Sequence, residues 1–174
     1  MSLERLAELL RERNRISTEI AALIGRPALS SHIGEYIASK IFDFELYESA
    51  THKGADGRFR TGPLRGKTVN VKLYGKKEGI LDINHAPADY YLVLTGPDSP
   101  PVSSRGGDRP LTIEQAFIFN MSRLLTELRG RGVKIGIATS MTKGSWEAAM
   151  IYPRPRNTEY MLLPEQAKLI ELFR

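Results

Sequence analysis

Four side chains have types and spacings that could do chemistry together: Glu35 in a helix-like stretch, Asp56 in KGADG, and Asn70 and Lys72 within the strand-like run TVNVKLY. Successive side chains on a strand point to opposite faces, so Val69, Val71 and Leu73 form one set and Thr68, Asn70, Lys72 and Tyr74 the other. The apolar set belongs to a core. Asn70 and Lys72 then project together, about 7 Å apart at a rise of ~3.3 Å per residue. Asn70 offers a neutral carbonyl oxygen. An ammonium beside a cation site can orient a water or help to deprotonate it, because positive charge favours hydroxide. On a helical wheel Glu35 lies beside Ala38 and Phe42 at the edge of an apolar arc, away from His32, Tyr36, Lys40 and Asp43. Each acid also has a plainer account. A Glu in the first helical turn is favoured by the helix dipole, and Asp-Gly is a common turn dipeptide.

The elements that must position these residues are legible as periodicities. Leu3, Leu6, Ala7 and Leu10 recur at helical spacing, and Ile16, Ile20, Leu23 and Ile24 mark a second helix that Gly25 and Pro27 stop, so a helical pair opens the chain. Ser31 can cap a third helix to about Asp43, with Ile33, Ile37, Ile41 and Phe44 on one face. FELYESA, a stretch around Gly57 to Arg60, TVNVKLY and DYYLVLTG read as an antiparallel meander. Gly96 to Pro110 is a long Pro-, Gly- and Ser-rich loop, read as flexible. Thr112 and Gln115 form a capping box for an expected long helix through Ile113, Ala116, Phe117, Met121, Leu124, Leu125 and Leu128. VKIGIATS reads as a strand buried on both faces, WEAAMIY as a strand beside it, and about Pro164 to Phe173 as a final helix. A single domain over residues 1–174 follows, comprising a helical extension (1–28), a core (31–140) and a C-terminal strand and helix (141–174).

Composition narrows the chemistry. The 174 residues contain no cysteine, which removes disulfides, thiolate metal sites and cysteine nucleophiles, and His32, His52 and His85 show no ligand-like pairing. The N-terminal MSLERLAELLRERN carries both charge signs, and no apolar run approaches the ~20 residues that span a bilayer, so a soluble, cytoplasmic protein without a membrane partner is expected. Charge is uneven. Residues 52–77 hold eight Lys and Arg with Asp56 as the sole acid, a net +7 in a chain whose total is +5. Such a segment suits an anionic partner, nucleic acid above all, through Lys53, Arg58, Arg60, Arg65, Lys67, Lys76 and Lys77. A solvated basic hairpin is the alternative.

In sequence order, a helix Glu, a strand, an Asp-Gly turn, a strand bearing polar-x-Lys, a helix and a buried strand resemble the PD-(D/E)XK, or restriction-endonuclease-like, nuclease superfamily over about Ser31 to Ser140. The resemblance implies an α/β fold with a helix, three-strand meander, helix and strand core. It implies Glu35 and Asp56 as carboxylates of a Mg2+ (or Mn2+) site, Asn70 and the Val71 carbonyl as further ligands, and Lys72 as the water activator. The family places an acid or Gln where this chain has Asn70, and a neutral oxygen there lowers the expected affinity for magnesium. The implied activity is hydrolysis of nucleic-acid phosphodiester bonds, DNA ahead of RNA. The alternative is an inactive nucleic-acid-binding or protein-interaction module on the same fold. Cutting both strands of a duplex calls for two active sites, so the resemblance leaves room for a homodimer. GEYIASKIFD, KGADG and VNVKLY are also similar to bacterial domain-of-unknown-function proteins, which adds no mechanism.

Other signals are weaker. GPLRGKT (Gly62 to Thr68) has one residue too few for a P-loop and runs into a strand. Ser140, Ser145 and His85 lack a G-x-S-x-G elbow. Tyr90, Tyr91, Trp146, Tyr152 and Tyr160 sit in apolar runs and read as core before base-stacking platforms. Arg105, Arg109 and Lys143 read as solvated loop charges.

Overall fold

The computed structural model describes residues 2–48, 54–84, 86–98 and 110–174. Helix α1 runs from Leu3 to Ile24, capped by the Ser2 side chain and ended by Gly25 at φ 68°. It is one helix where two were expected, because no Gly or Pro interrupts it before Gly25. None of its 22 residues is buried, so its Leu and Ile stripe lies largely on the surface. Helix α2, Ser30–Phe42, differs: Gly34, Ile37, Ala38, Ser39, Ile41 and Phe42 are buried. Its N-cap is Leu29 without a side-chain cap, so Ser31 is not the expected cap.

Three strands follow as an antiparallel meander: β1 (Phe44–Leu46), β2 (Gly57–Phe59) and β3 (Thr68–Tyr74). The meander stops there. The next strand of the sheet, β5 (Tyr90–Thr95), pairs with β3 in parallel, Val69 opposite Tyr90 and Asn70 opposite Tyr91. The connection between them carries the short strand β4 (Ile80–Leu81), which pairs with β7 (Thr139–Ser140) in a separate ribbon. Strand β6 (Gln115–Asn120) then pairs antiparallel with β5, and β8 (Met150–Tyr152) with β6, giving a six-stranded mixed sheet in the order β1-β2-β3-β5-β6-β8.

The expected helix from Thr112 begins later, as α3 (Met121–Gly130), capped by Asn120. Gln115 opens a strand instead of closing a capping box. The reason is burial on both sides: Ala116 and Ile118 enter one core while Phe117 and Phe119 enter the other, so the run carries no alternation to mark it as a strand. VKIGIATS is a second correction. Only Thr139 and Ser140 are strand, and Ile137 is 91% exposed. WEAAMIY divides into helix α4 (Lys143–Ala149), capped by Thr142, and β8. Helix α5, Pro164–Glu171, matches the final helix expected.

The sheet separates two apolar clusters. One joins Val69, Val71, Leu92 and Leu94 to α2 and to Ile170 of α5; the other joins Tyr91, Val93, Phe117 and Phe119 to α3 and to Trp146 of α4. The fold is therefore mixed α/β, with five helices among the described residues and helices on both faces of the sheet. Among the described residues no helix is long and apolar enough to cross a membrane.

Candidate functional site

Strand β3 is the axis of the site. Val69, Val71 and Leu73 pack into the α2-side cluster, while Tyr74 packs with the opposite one, so the alternation read from the sequence holds. Asn70 is only 5% exposed. Lys72, two residues on, is partly exposed, with Nζ 5.8 Å from the centre of the Tyr91 ring. The Tyr91 hydroxyl accepts from the backbone N–H of Asn84, tying the β3–β5 connection to this side of the sheet.

Asp56 stands just before β2 and is bound by its own backbone to both neighbours. Its N–H donates to the Val69 carbonyl (2.8 Å), its carbonyl accepts from Tyr47 N–H (2.9 Å), and its Oδ2 accepts from Val71 N–H (2.7 Å). The flanking glycines make this approach possible. A Cβ on Gly57 would lie 2.3 Å from the Glu45 carbonyl oxygen, and Gly54, at φ 84°, would press one within 1.7 Å of the Ala86 carbonyl oxygen.

From α2, Glu35 reaches the same place. Its Oε2 accepts from Arg26 Nη1 at 2.7 Å, and the other arm of that guanidinium, Nη2, donates to the Tyr47 carbonyl at 2.6 Å. Arg26 thus bridges α2 to the end of β1. Glu35, Asp56 and Asn70 line one cavity of about 390 Å³ together with Arg26, His32, Tyr47, Glu48, Gly54, Ala55 and Asn84. Lys72 is not among the lining residues, but its charge acts on both carboxylates.

The electrostatics of the two acids are alike. Burial raises the Glu35 pKa above the usual glutamate value and the Asp56 carboxylate adds to this, while Arg26, His32 and Lys72 pull it back in part. Burial also raises Asp56, against the opposing hydrogen bond from Val71 N–H and the charges of Lys72 and Arg26. Beside them, Asn70 Oδ1 is buried without a hydrogen-bond partner among the described residues. A buried amide oxygen left unpaired costs roughly 1–3 kcal/mol, which marks it as an acceptor awaiting a donor or a cation.

Among the described residues no group of three or more His, Asp or Glu side chains is placed to hold a metal ion. The cavity wall carries the carboxylates of Glu35, Asp56 and Glu48, and the first two, with the Asn70 oxygen, are the donors that the sequence singled out. All are hard oxygen donors, which suits Mg2+ or Mn2+ in kind, and magnesium sites often use only one or two carboxylates before substrate oxygens complete the shell. Part of that set is engaged: Arg26 holds Glu35 and Val71 N–H holds Asp56.

The surrounding basic residues divide. Arg58, Arg65 and Lys67 are exposed, Arg58 donating to the Gly66 carbonyl at 3.1 Å. Arg60 is exposed but paired with Asp43, at 3.0 Å from Nε and 2.6 Å from Nη2. Lys76 corrects the expected basic surface, since it is 7% exposed and paired with Glu78. Lys77 does the same: its Nζ meets Asp98 at 2.8 Å and lies 5.6 Å from the Phe117 ring centre. The count of cations along the chain carried no information about which way their stems pack. Lys53, His52, His85, Arg105 and Arg109 lie outside the described residues.

Arg26 and His32 are cavity residues that the sequence did not single out for the site. The available signal was weak: Arg26 sits between Gly25 and Pro27 in a helix connection, and His32 falls on the polar side of α2 with its ring Nδ1 2.9 Å from the Pro27 carbonyl. The aromatic residues are core, as read. Tyr91 is fully buried, and Trp146 packs edge-on against Phe117 and Phe119 at 4.7 and 5.1 Å between ring centres. No protein-family model matches this chain, and no curated protein matches it at a significant level.

Proposed function

We propose that this chain is a metal-dependent, nuclease-like protein with a restriction-endonuclease-like core, acting on phosphodiester bonds of nucleic acid. The observation that carries the reading is the convergence of Glu35, Asp56 and Asn70 on one cavity, with Asn70 Oδ1 buried and without a partner among the described residues and Lys72 next along the same face of β3. The order α2, β1, β2, β3 and then a strand parallel to β3 also supports it. The β3–β5 connection departs from the expected core by carrying β4 in place of a helix.

Asp56, Asn70 Oδ1, Glu35 and the Val71 carbonyl would hold Mg2+ or Mn2+, which supplies positive charge to phosphate oxygens and makes water more acidic. The Lys72 ammonium orients the attacking water and favours its deprotonated form. Glu35 and Asp56, both raised by burial, take up a proton more readily than exposed carboxylates. Arg58, Arg65 and Lys67 supply exposed cations for a phosphate backbone without reading its sequence.

One observation favours a second reading, a module that binds nucleic acid without cutting it: Asn70 is an amide where a carboxylate would serve a metal, Glu35 is already paired with Arg26, and no three acids or histidines among the described residues are grouped to hold a metal ion. Incubation of the purified chain with DNA and RNA in Mg2+ or Mn2+ separates the two. Cleavage that Lys72→Ala abolishes supports the nuclease; intact substrate with wild type, or equal cleavage by Lys72→Ala, removes it. The binding module survives that result only if affinity falls with salt and needs no metal.

A further inference from the structure

Arg26 is a cation that lines the cavity and is held on one of its carboxylates, Glu35. Its guanidinium spans two elements, Nη1 on Glu35 Oε2 at 2.7 Å and Nη2 on the Tyr47 carbonyl at 2.6 Å. Both side chains of the ion pair are largely sheltered, 28% exposed for Arg26 and 13% for Glu35, so solvent screens the pair only in part. Exposed helix pairs such as Arg5–Glu8, with both partners more than half exposed, are a different case and are worth little.

We propose that Arg26 is the resident counter-cation of the Glu35–Asp56–Asn70 cavity, and that a hard divalent cation binds there by displacing the guanidinium from Glu35. The inference rests on the metal-dependent reading above and adds a control element to it. Without a metal, Arg26 pairs with the Glu35 carboxylate and offsets part of its repulsion with Asp56. On binding, Glu35 exchanges one cation for another. Such competition lowers apparent metal affinity by the free energy of the Arg26–Glu35 contact, and couplings of this kind typically change affinity by about 5- to 150-fold. The released fork of N–H donors remains beside the cavity, where its planar geometry suits an anionic oxygen pair.

The test is Mn2+ binding by calorimetry on the full chain, free of nucleic acid, with circular dichroism as a check of folding for each variant. Arg26→Gln binds Mn2+ about tenfold more tightly than wild type. In a Glu35→Gln background the same change gives no tightening, because the carboxylate competed for is gone. A second readout uses the unaltered chain: the Arg26 side-chain N–H resonance in a 15N-labelled sample shifts or broadens as Mg2+ is titrated to saturation. Equal or weaker Mn2+ binding by a folded Arg26→Gln, tightening that persists in the Glu35→Gln background, or an Arg26 resonance unmoved at saturating Mg2+ overturns the inference while leaving metal binding in place. Absence of Mn2+ binding in every variant overturns the metal-dependent reading and this inference with it.

Discussion

Asp56 and Asp89 both use a carboxylate to hold backbone N–H groups of β3, yet they sit in opposite electrostatic states. Asp89 Oδ2 accepts from both the N–H and the hydroxyl of Thr68 at 2.8 Å, and its own N–H donates back to that hydroxyl at 2.9 Å. It is exposed; partial desolvation raises its pKa, but the Thr68 hydrogen bonds and the charges of Lys67 and Arg58 outweigh this, leaving it below the usual aspartate value. Asp56 accepts from Val71 N–H, lies partly buried beside Glu35, and is raised. A carboxylate whose acceptors tie the start of β3 to the approach to β5 near water is a brace. One that remains costly to ionise, on a cavity it shares with Glu35 and Asn70, is held in that state by the rest of the fold.

The comparison breaks first at the chemistry. Asp56→Asn is expected to lower Mn2+ affinity and any metal-dependent cleavage by about a hundredfold, since even outer partners of metal ligands cost up to that much. Asp89→Asn leaves both close to wild type. Equal losses in the two variants, measured by calorimetry and by gel cleavage, erase the distinction.

Asn70→Asp sharpens it from the other side. A further carboxylate in place of the Asn70 amide is expected to tighten Mn2+ binding about tenfold, a change of ~1.4 kcal/mol. The metal-free variant melts at lower temperature than wild type, because the added carboxylate is repelled by Glu35 and Asp56. A metal-free melting temperature above wild type would contradict that account of the cavity.

Stability against pH gives a smaller contrast with a definite sign. Glu35 and Asp56 are raised in the fold, so the stability they confer is complete below their unfolded values, near 4.5 and 3.8, and is lost as pH rises through the folded ones. Asp89 is lowered, so its contribution is present above 3.8 and is lost as pH falls through its folded value. Urea denaturation in chelator should therefore find Asp56→Asn relatively more favourable at pH 7 than at pH 3.5. Asp89→Asn should cost about 1 kcal/mol at pH 7, the usual net worth of an intramolecular hydrogen bond, because solvent screens this exposed carboxylate, and less at pH 3.5. The smallest expected effect belongs to Lys67→Ala, which should reduce the slope of log affinity against log salt for nucleic acid by about one if that exposed amine meets a phosphate. Lys76→Met should leave the slope unchanged, since Lys76 is buried against Glu78.

How far the chain could be read in advance depended on range. The alternation that separates Val69 and Val71 from Asn70 and Lys72 is a property of any extended backbone and needs no partner to be legible. The Asp56 turn was legible for a similar reason, because glycines on either side announce a tight approach whose partners, Glu45 and Ala86, are not named by the pattern. Strand β6 failed the same kind of reading. Its Ala116, Phe117, Ile118 and Phe119 face two cores, and a uniformly apolar run fits helix and strand equally.

Backbone periodicity along the chain settled which face of β3 bears Asn70 and Lys72, that Glu35 rides on a helix, and that the basic charge clusters near them. Three-dimensional packing decided the rest. It paired β3 with β5 in parallel, withdrew Lys76 and Lys77 from the exposed basic set, and brought Arg26 from the end of α1 onto Glu35. These outcomes turn on contacts between residues distant in the chain, whose energies depend on what is buried together and not on the order in which the residues are written.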